Sequence, residues 1–281
     1  MDKKFFIILP IFLFVFFLNG LAQKKVLYKQ IDTTRLFLEV YSPSDLDLDK
    51  SYPAIVFFFG GGWNGGSRHQ FLPHAKYFSE RGIICFLADY RVRSKHNTTP
   101  FESLKDARSA IRYIRQNAAK YNVDASKIIA SGGSAGGHLA AATALANGYN
   151  DSSDDLSISS VPDALILFNP VIDNGPGGYG YERIGEEYKN FSPLHNIKAG
   201  SPPTILFLGT NDDLIPVETA QYFKVVMERV KSRCDLKLYE GQGHGFFNYK
   251  SIDNYISTVA EADIFLQSLG YLSPRSVLEI E

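Results

Sequence analysis

Apolar side chains recur along the chain in two rhythms. Residues 35–41 alternate apolar with polar, the period of a strand with one wet face, and Ser42, Pro43, Ser44 and Asp45 then turn the chain. Six further runs, 54–59, 83–88, 127–130, 164–168, 204–208 and 236–239, are short, mostly apolar and end at Gly, Asp, Asn or Pro. Such runs suit strands buried on both faces. Between them, residues 101–121, 135–146, 217–232 and 253–269 carry apolar positions at helical spacing. Strand and helix alternate, so the pattern predicts an α/β fold, a mainly parallel central sheet covered by helices on both faces. Residues 171–200 break the alternation with Gly175, Gly177, Gly178 and Gly180 and an acidic, aromatic stretch as far as Glu187. They are expected to form a small cap or loop insertion, not a second domain.

Composition narrows the picture. With 281 residues, 45% of them hydrophobic, the chain can bury one large core, and one domain over residues 23–281 is expected. Lys and Arg total 29 against 30 Asp and Glu, with no long run of one sign, which argues against a nucleic-acid partner. At the N-terminus, Lys3 and Lys4 precede an apolar stretch of roughly 14 residues interrupted by Pro10, whereas a spanning helix needs about 20. Residues 1–22 therefore read as a secretory signal peptide cleaved after Ala22, which leaves no stable membrane association and a secreted or periplasmic protein. An uncleaved anchor is the alternative. Cys85 and Cys234 sit inside and at the start of apolar strands, where each serves as a small buried hydrophobe. The six histidines form no spacing of the kind zinc requires, so no metal is expected.

The candidate chemistry begins at Ser131-Gly132-Gly133-Ser134-Ala135-Gly136-Gly137, directly after an expected strand and before an alanine-rich helix. Glycines two residues either side of Ser134 let the chain turn sharply enough for the hydroxyl to stand clear, and the helix start favours developing negative charge. A serine hydroxyl needs a base to take its proton. Of the six histidines only His244 lies beyond the strand at 204–208, in the glycine-flanked loop Gly241-Gln242-Gly243-His244-Gly245. The orienting carboxylate comes from Asp212, Asp213 or, further back, Asp173. Acyl transfer also needs donors for an oxyanion. The loop Phe59-Gly60-Gly61-Gly62-Trp63 offers them, and the backbone N–H groups of Gly61, Gly62 and Ala135 are the expected set. A phosphate-binding loop is disfavoured, because no Gly-Lys-Ser/Thr ending follows the glycines. Trp63, the sole tryptophan, walls a substrate pocket or packs the loop.

With these segments in place the chain resembles the bacterial esterase/lipase branch of the α/β-hydrolases, close to hormone-sensitive-lipase-like and acetyl-xylan or feruloyl esterase-like members. The resemblance covers residues 35–269 and is carried by five motifs: Gly60-Gly61-Gly62-Trp63, Asp89-Tyr90-Arg91, Gly133-Ser134-Ala135-Gly136-Gly137, Gly209-Thr210-Asn211-Asp212 and Gly243-His244-Gly245-Phe246. It implies the α/β-hydrolase fold and a triad of Ser134, His244 and Asp212, with Asp213 beside it and Asp89-Tyr90-Arg91 bracing the sheet edge. It implies no cofactor. Phe59 stands where such relatives have a histidine that braces the oxyanion loop. Resemblance and export together imply a serine carboxylesterase for short-chain acyl esters, with a small-molecule or glycan ester as its partner and polysaccharide deacetylation as one use; a prolyl-oligopeptidase-type peptidase and a non-catalytic binding protein on the same scaffold are the alternatives.

Overall fold

The computed structural model describes residues 22–274. The apolar N-terminal segment of the expected signal peptide lies outside the described residues. Eight strands form one sheet: β1 (Ala22–Ile31), β2 (Thr34–Ser42), β3 (Tyr52–Phe58), β4 (Ile84–Ala88), β5 (Val123–Gly133), β6 (Ala164–Phe168), β7 (Thr204–Gly209) and β8 (Cys234–Tyr239). Their order is β1-β2-β4-β3-β5-β6-β7-β8, and every neighbouring pair from β4 to β8 is parallel. β2 runs antiparallel to both β1 and β4. All seven expected strands are present. β1 is the addition, an edge strand whose Lys24, Lys25 and Lys29 hide its period; Lys24 and Lys25 are exposed, in keeping with the use of lysine to blunt sheet edges.

Every residue of β4 and β6 is buried. Successive side chains of a strand point to opposite faces, so Ala54, Val56 and Phe58 of β3 enter one apolar cluster while Ile55 and Phe57 enter another. The helices are α1 (Leu72–Glu80), α2 (Arg93–His96), α3 (Pro100–Gln116), α4 (Ala135–Leu145), α5 (Tyr181–Ile184), α6 (Tyr188–Phe191), α7 (Val217–Arg229) and α8 (Ile252–Ser268). The first cluster is closed by α3, α4 and α7 through Leu104, Leu139 and Phe223, and the second by α1 and α8 through Phe78 and Phe265. The start of α3 is fixed by a capping box between Thr99 and Glu102, with Pro100 in its first turn. α4 is buried on all sides, which its run of small alanines permits. α1 is not announced by the sequence pattern, because Pro73, Lys76, Ser79 and Glu80 break up a short amphipathic stretch. Residues 171–200 fold as short turns of helix that include α5 and α6, and Phe191 inserts into the core from there.

Cys85 and Cys234 are buried free thiols. Among the described residues no helix is long and apolar enough to cross a membrane. The strands β3 to β8 end at one rim, and the loops that leave them carry the candidate residues.

Candidate active site

Ser134 joins β5 to α4 with φ 53 and ψ −119, a left-handed conformation that a non-glycine residue adopts only when its surroundings enforce it. The enforcement comes from close backbone approach. A Cβ on Gly136 would lie 2.0 Å from the Phe58 carbonyl oxygen, and one on Gly132 would lie 2.4 Å from the Gly136 carbonyl. The Ser134 N–H donates to Phe168 O at 3.0 Å, which ties the turn to the end of β6.

His244, in the loop after β8, brings Nε2 to 2.9 Å from Ser134 Oγ. Its Nδ1 faces Asp212, at 2.8 Å from Oδ2 and 3.0 Å from Oδ1. Asp212 Oδ1 also accepts from the N–H groups of Leu214 and Ile215, at 2.9 and 3.0 Å, and the carboxylate is shut off from solvent. A buried carboxylate at Nδ1 holds the proton there and leaves Nε2 bare to accept the serine hydroxyl. Asp213 is exposed. Asp173 accepts from the Gly175 N–H at 2.8 Å and lies 3.7 Å from His195 Nδ1, so it is occupied within the cap segment.

The loop after β3 faces Ser134. Gly61 and Gly62 adopt φ 125 and φ 62, and a Cβ on Gly61 would lie 2.3 Å from Gly65 O. Among the described residues nothing accepts from the N–H groups of Gly61, Gly62 or Ala135. Three free donors beside a nucleophile are what an oxyanion requires. The Gly60 N–H, by contrast, is taken by Gln70 Oε1 at 2.7 Å. Phe59 stacks on Tyr90 with ring centroids 4.1 Å apart, and Tyr90 donates its hydroxyl to Phe59 O at 2.6 Å. A stacked ring and a tyrosine hydroxyl thus hold the loop without a histidine. Asp89 is paired with Arg68 and Arg91 with Asp106.

Trp63, expected to wall a substrate pocket or to pack the loop, does not line the cleft at Ser134 but borders an adjoining cavity of about 540 Å³ that shares Gly62, Asn64 and Arg183 with it. The side chain is 1% exposed and packs among His138, Tyr179 and Phe191, with the Arg183 guanidinium 5.2 Å from its ring. A large apolar ring gains more from burial under the loop than from standing in water. The cleft at Ser134, about 430 Å³, is walled instead by Tyr179, Arg183, Leu214 and Phe247. Sequence reasoning also missed Gln70, Asn169 and Asn248. Gln70 Nε2 donates to Asn248 Oδ1 at 2.9 Å, and Asn248 Nδ2 donates to Gly245 O at 2.7 Å, so an amide chain links the glycine loop to the histidine loop. A hint was available only for Asn169, which directly follows a buried strand and precedes a proline. Among the described residues no group of His, Cys, Asp and Glu gathers to hold a metal ion.

The BD-FAE family model matches residues 38–175 and the dienelactone hydrolase family model matches residues 169–269. Esterase 2 of Thermogutta terrifontis is 46% identical, with a TM-score of 0.86 over 90% of this chain and 97% of that one. This chain belongs to the esterase/lipase branch of the α/β-hydrolases. It is of the hormone-sensitive-lipase-like type within that branch. The Thermogutta esterase has also been solved phosphorylated by paraoxon and with butyrate bound. Among curated α/β-hydrolases, esterase LipC of Mycobacterium tuberculosis is 30% identical over 80% of this chain and 60% of its own length. An acetylxylan esterase of Xylanibacter ruminicola is 28% identical over 69% of this chain and 41% of its own. The chain spans about half the length of the curated relatives it matches.

Proposed function

We propose that the protein is an exported serine carboxylesterase that removes short acyl groups, acetyl among them, from polysaccharide. The observation that carries the ester chemistry is the hydrogen-bonded series Ser134–His244–Asp212 beside three free N–H donors. Ser134 Oγ attacks the ester carbonyl carbon while His244 Nε2 takes its proton, and the carbonyl electrons move onto an oxygen received by Gly61, Gly62 and Ala135. The tetrahedral species collapses, the C–O bond to the alcohol breaks, and His244 returns the proton to the leaving oxygen. Water then enters, loses a proton to His244 and releases the acid, restoring Ser134. None of these steps calls for a cofactor.

Short acyl groups are supported by the small cleft and by the butyrate held in the Thermogutta esterase. Polysaccharide is supported by the acetylxylan esterase among the relatives. Export is supported by the Lys3, Lys4 and apolar pattern of the N-terminus.

The test is hydrolysis of p-nitrophenyl acetate, butyrate and laurate by the parent and by Ser134→Ala. The expected result is acetate or butyrate well ahead of laurate, with the substitution lowering kcat more than about a thousandfold. Equal rates in the two proteins would remove Ser134 from the mechanism. Release of acetate from acetylated xylan supports the glycan assignment, and its absence with good activity on laurate overturns it.

A further inference from the structure

Asn169 follows β6, and its backbone is held at φ 33 with no exposure to solvent. Its N–H donates to Phe207 O at 2.7 Å. Its Oδ1 accepts from the Gly245 N–H at 3.1 Å, and that bond orients the amide. The Nδ2 group therefore faces His244 Nε2, at 3.3 Å. That nitrogen already accepts from Ser134 Oγ at 2.9 Å, since Nδ1 keeps its proton for Asp212. Two donors converge on one imidazole lone pair.

We propose that Asn169 is a positioning residue that biases His244 towards its neutral, proton-accepting form. A hydrogen bond given to the neutral form of a group favours that form. Once Nε2 has taken the serine proton it becomes a donor, and the Asn169 N–H then opposes it with no acceptor between them. The imidazolium is steadied by Asp212 on one side and pressed on the other, so it yields its proton more readily to the departing alcohol oxygen. Among the described residues, the other polar and charged groups that bond the ring or share its cleft are Ser134 from the turn after β5, Asp212 from the loop after β7, Arg183 from α5, and the amides of Asn64, Gln70 and Asn248. All of them stay in the variants below.

This inference rests on the triad reading. Asn169→Asp keeps an oxygen for the Gly245 N–H and turns the group facing Nε2 from donor to acceptor. The experiment is kcat/KM for p-nitrophenyl acetate against pH, for the parent, Asn169→Asp and Asn169→Ala. The acidic limb is expected to rise by about one pH unit or more in Asn169→Asp and by less in Asn169→Ala. A limb that stays in place in Asn169→Asp overturns the proposal, and so does a uniform fall in rate at every pH, which is what a purely structural role gives. Should the aspartate variant not fold, ¹⁵N NMR titration of His244 in the parent and in Asn169→Ala reads the same quantity, and equal midpoints overturn the proposal. Ser134→Ala keeps the two readings apart. If it retains the parent's rate, the triad reading has failed; if it is inactive while the Asn169→Asp limb is fixed, only this inference has.

Discussion

Ser134 stands in a conformation that costs a non-glycine residue about 1–3 kcal/mol, and glycines too crowded to be replaced keep it there. Gly136→Ala would drive a methyl group into the Phe58 and Phe59 carbonyls, at 2.0 and 2.4 Å. Both are backbone atoms with no rotamer to yield. The expected loss of unfolding free energy is about 3 kcal/mol or more, read from the urea midpoint, and a loss below 1 would mean that the end of β3 yields. This part of the site was legible in the sequence because its constraint is local: glycines at fixed offsets from one serine. Trp63 was not legible, since what it touches, His138 and Phe191, lies far along the chain. Asn169 was hidden for the same reason, its partner Gly245 being 76 positions away.

At the scale of elements, the strands from β2 to β8 declared themselves through burial on one or both faces, whereas β1 did not. Its lysines are the reason, and one of them is not a surface residue at all. Lys29 is buried with its Nζ at 2.8 Å from Asp106 and 2.7 Å from Asp151, and it donates to Ser109 Oγ at 2.9 Å. Asp106 also takes a two-pronged bond from Arg91. The ionic knot fastens β1 to α3 and to the loop around Asp151. A buried pair stripped of one partner leaves an uncompensated charge, so Lys29→Met is expected to destabilise the fold by about 3 kcal/mol or more. Guanidinium or urea unfolding would register this, and a change near zero would show that Arg91 alone satisfies Asp106. Knots of this kind are illegible in a single sequence, because nothing in the run from Ala22 to Ile31 distinguishes a lysine that reaches inward from its neighbours.

For the whole molecule, acidity is the condition that separates folded from unfolded chain. His74 is enclosed by Phe57, Phe71, Phe168, Phe247 and Tyr255, and among the described residues neither ring nitrogen has a partner. Burial holds it neutral and pulls its pKa down to about 3. The unfolded chain binds a proton at this residue near pH 6.5 and the folded chain does not until about pH 3. The stability His74 confers is thus complete above pH 6.5 and drains away as pH falls towards 3, with a slope of up to about 1.4 kcal/mol per pH unit. His74→Leu is expected to flatten the fall in urea midpoint between pH 6.5 and 4, and an unaltered slope would place the acid sensitivity elsewhere.

The direction of β1 has one more effect. Ala22 pairs with Ser42, and Tyr41 with Cys85 near the start of β4, so β1 runs the same way as the parallel strands and begins at the rim from which they set out. The cleft opens at the other rim. The described chain therefore begins at the rim opposite Ser134, and the start of β1 leaves the mouth of the cleft uncovered.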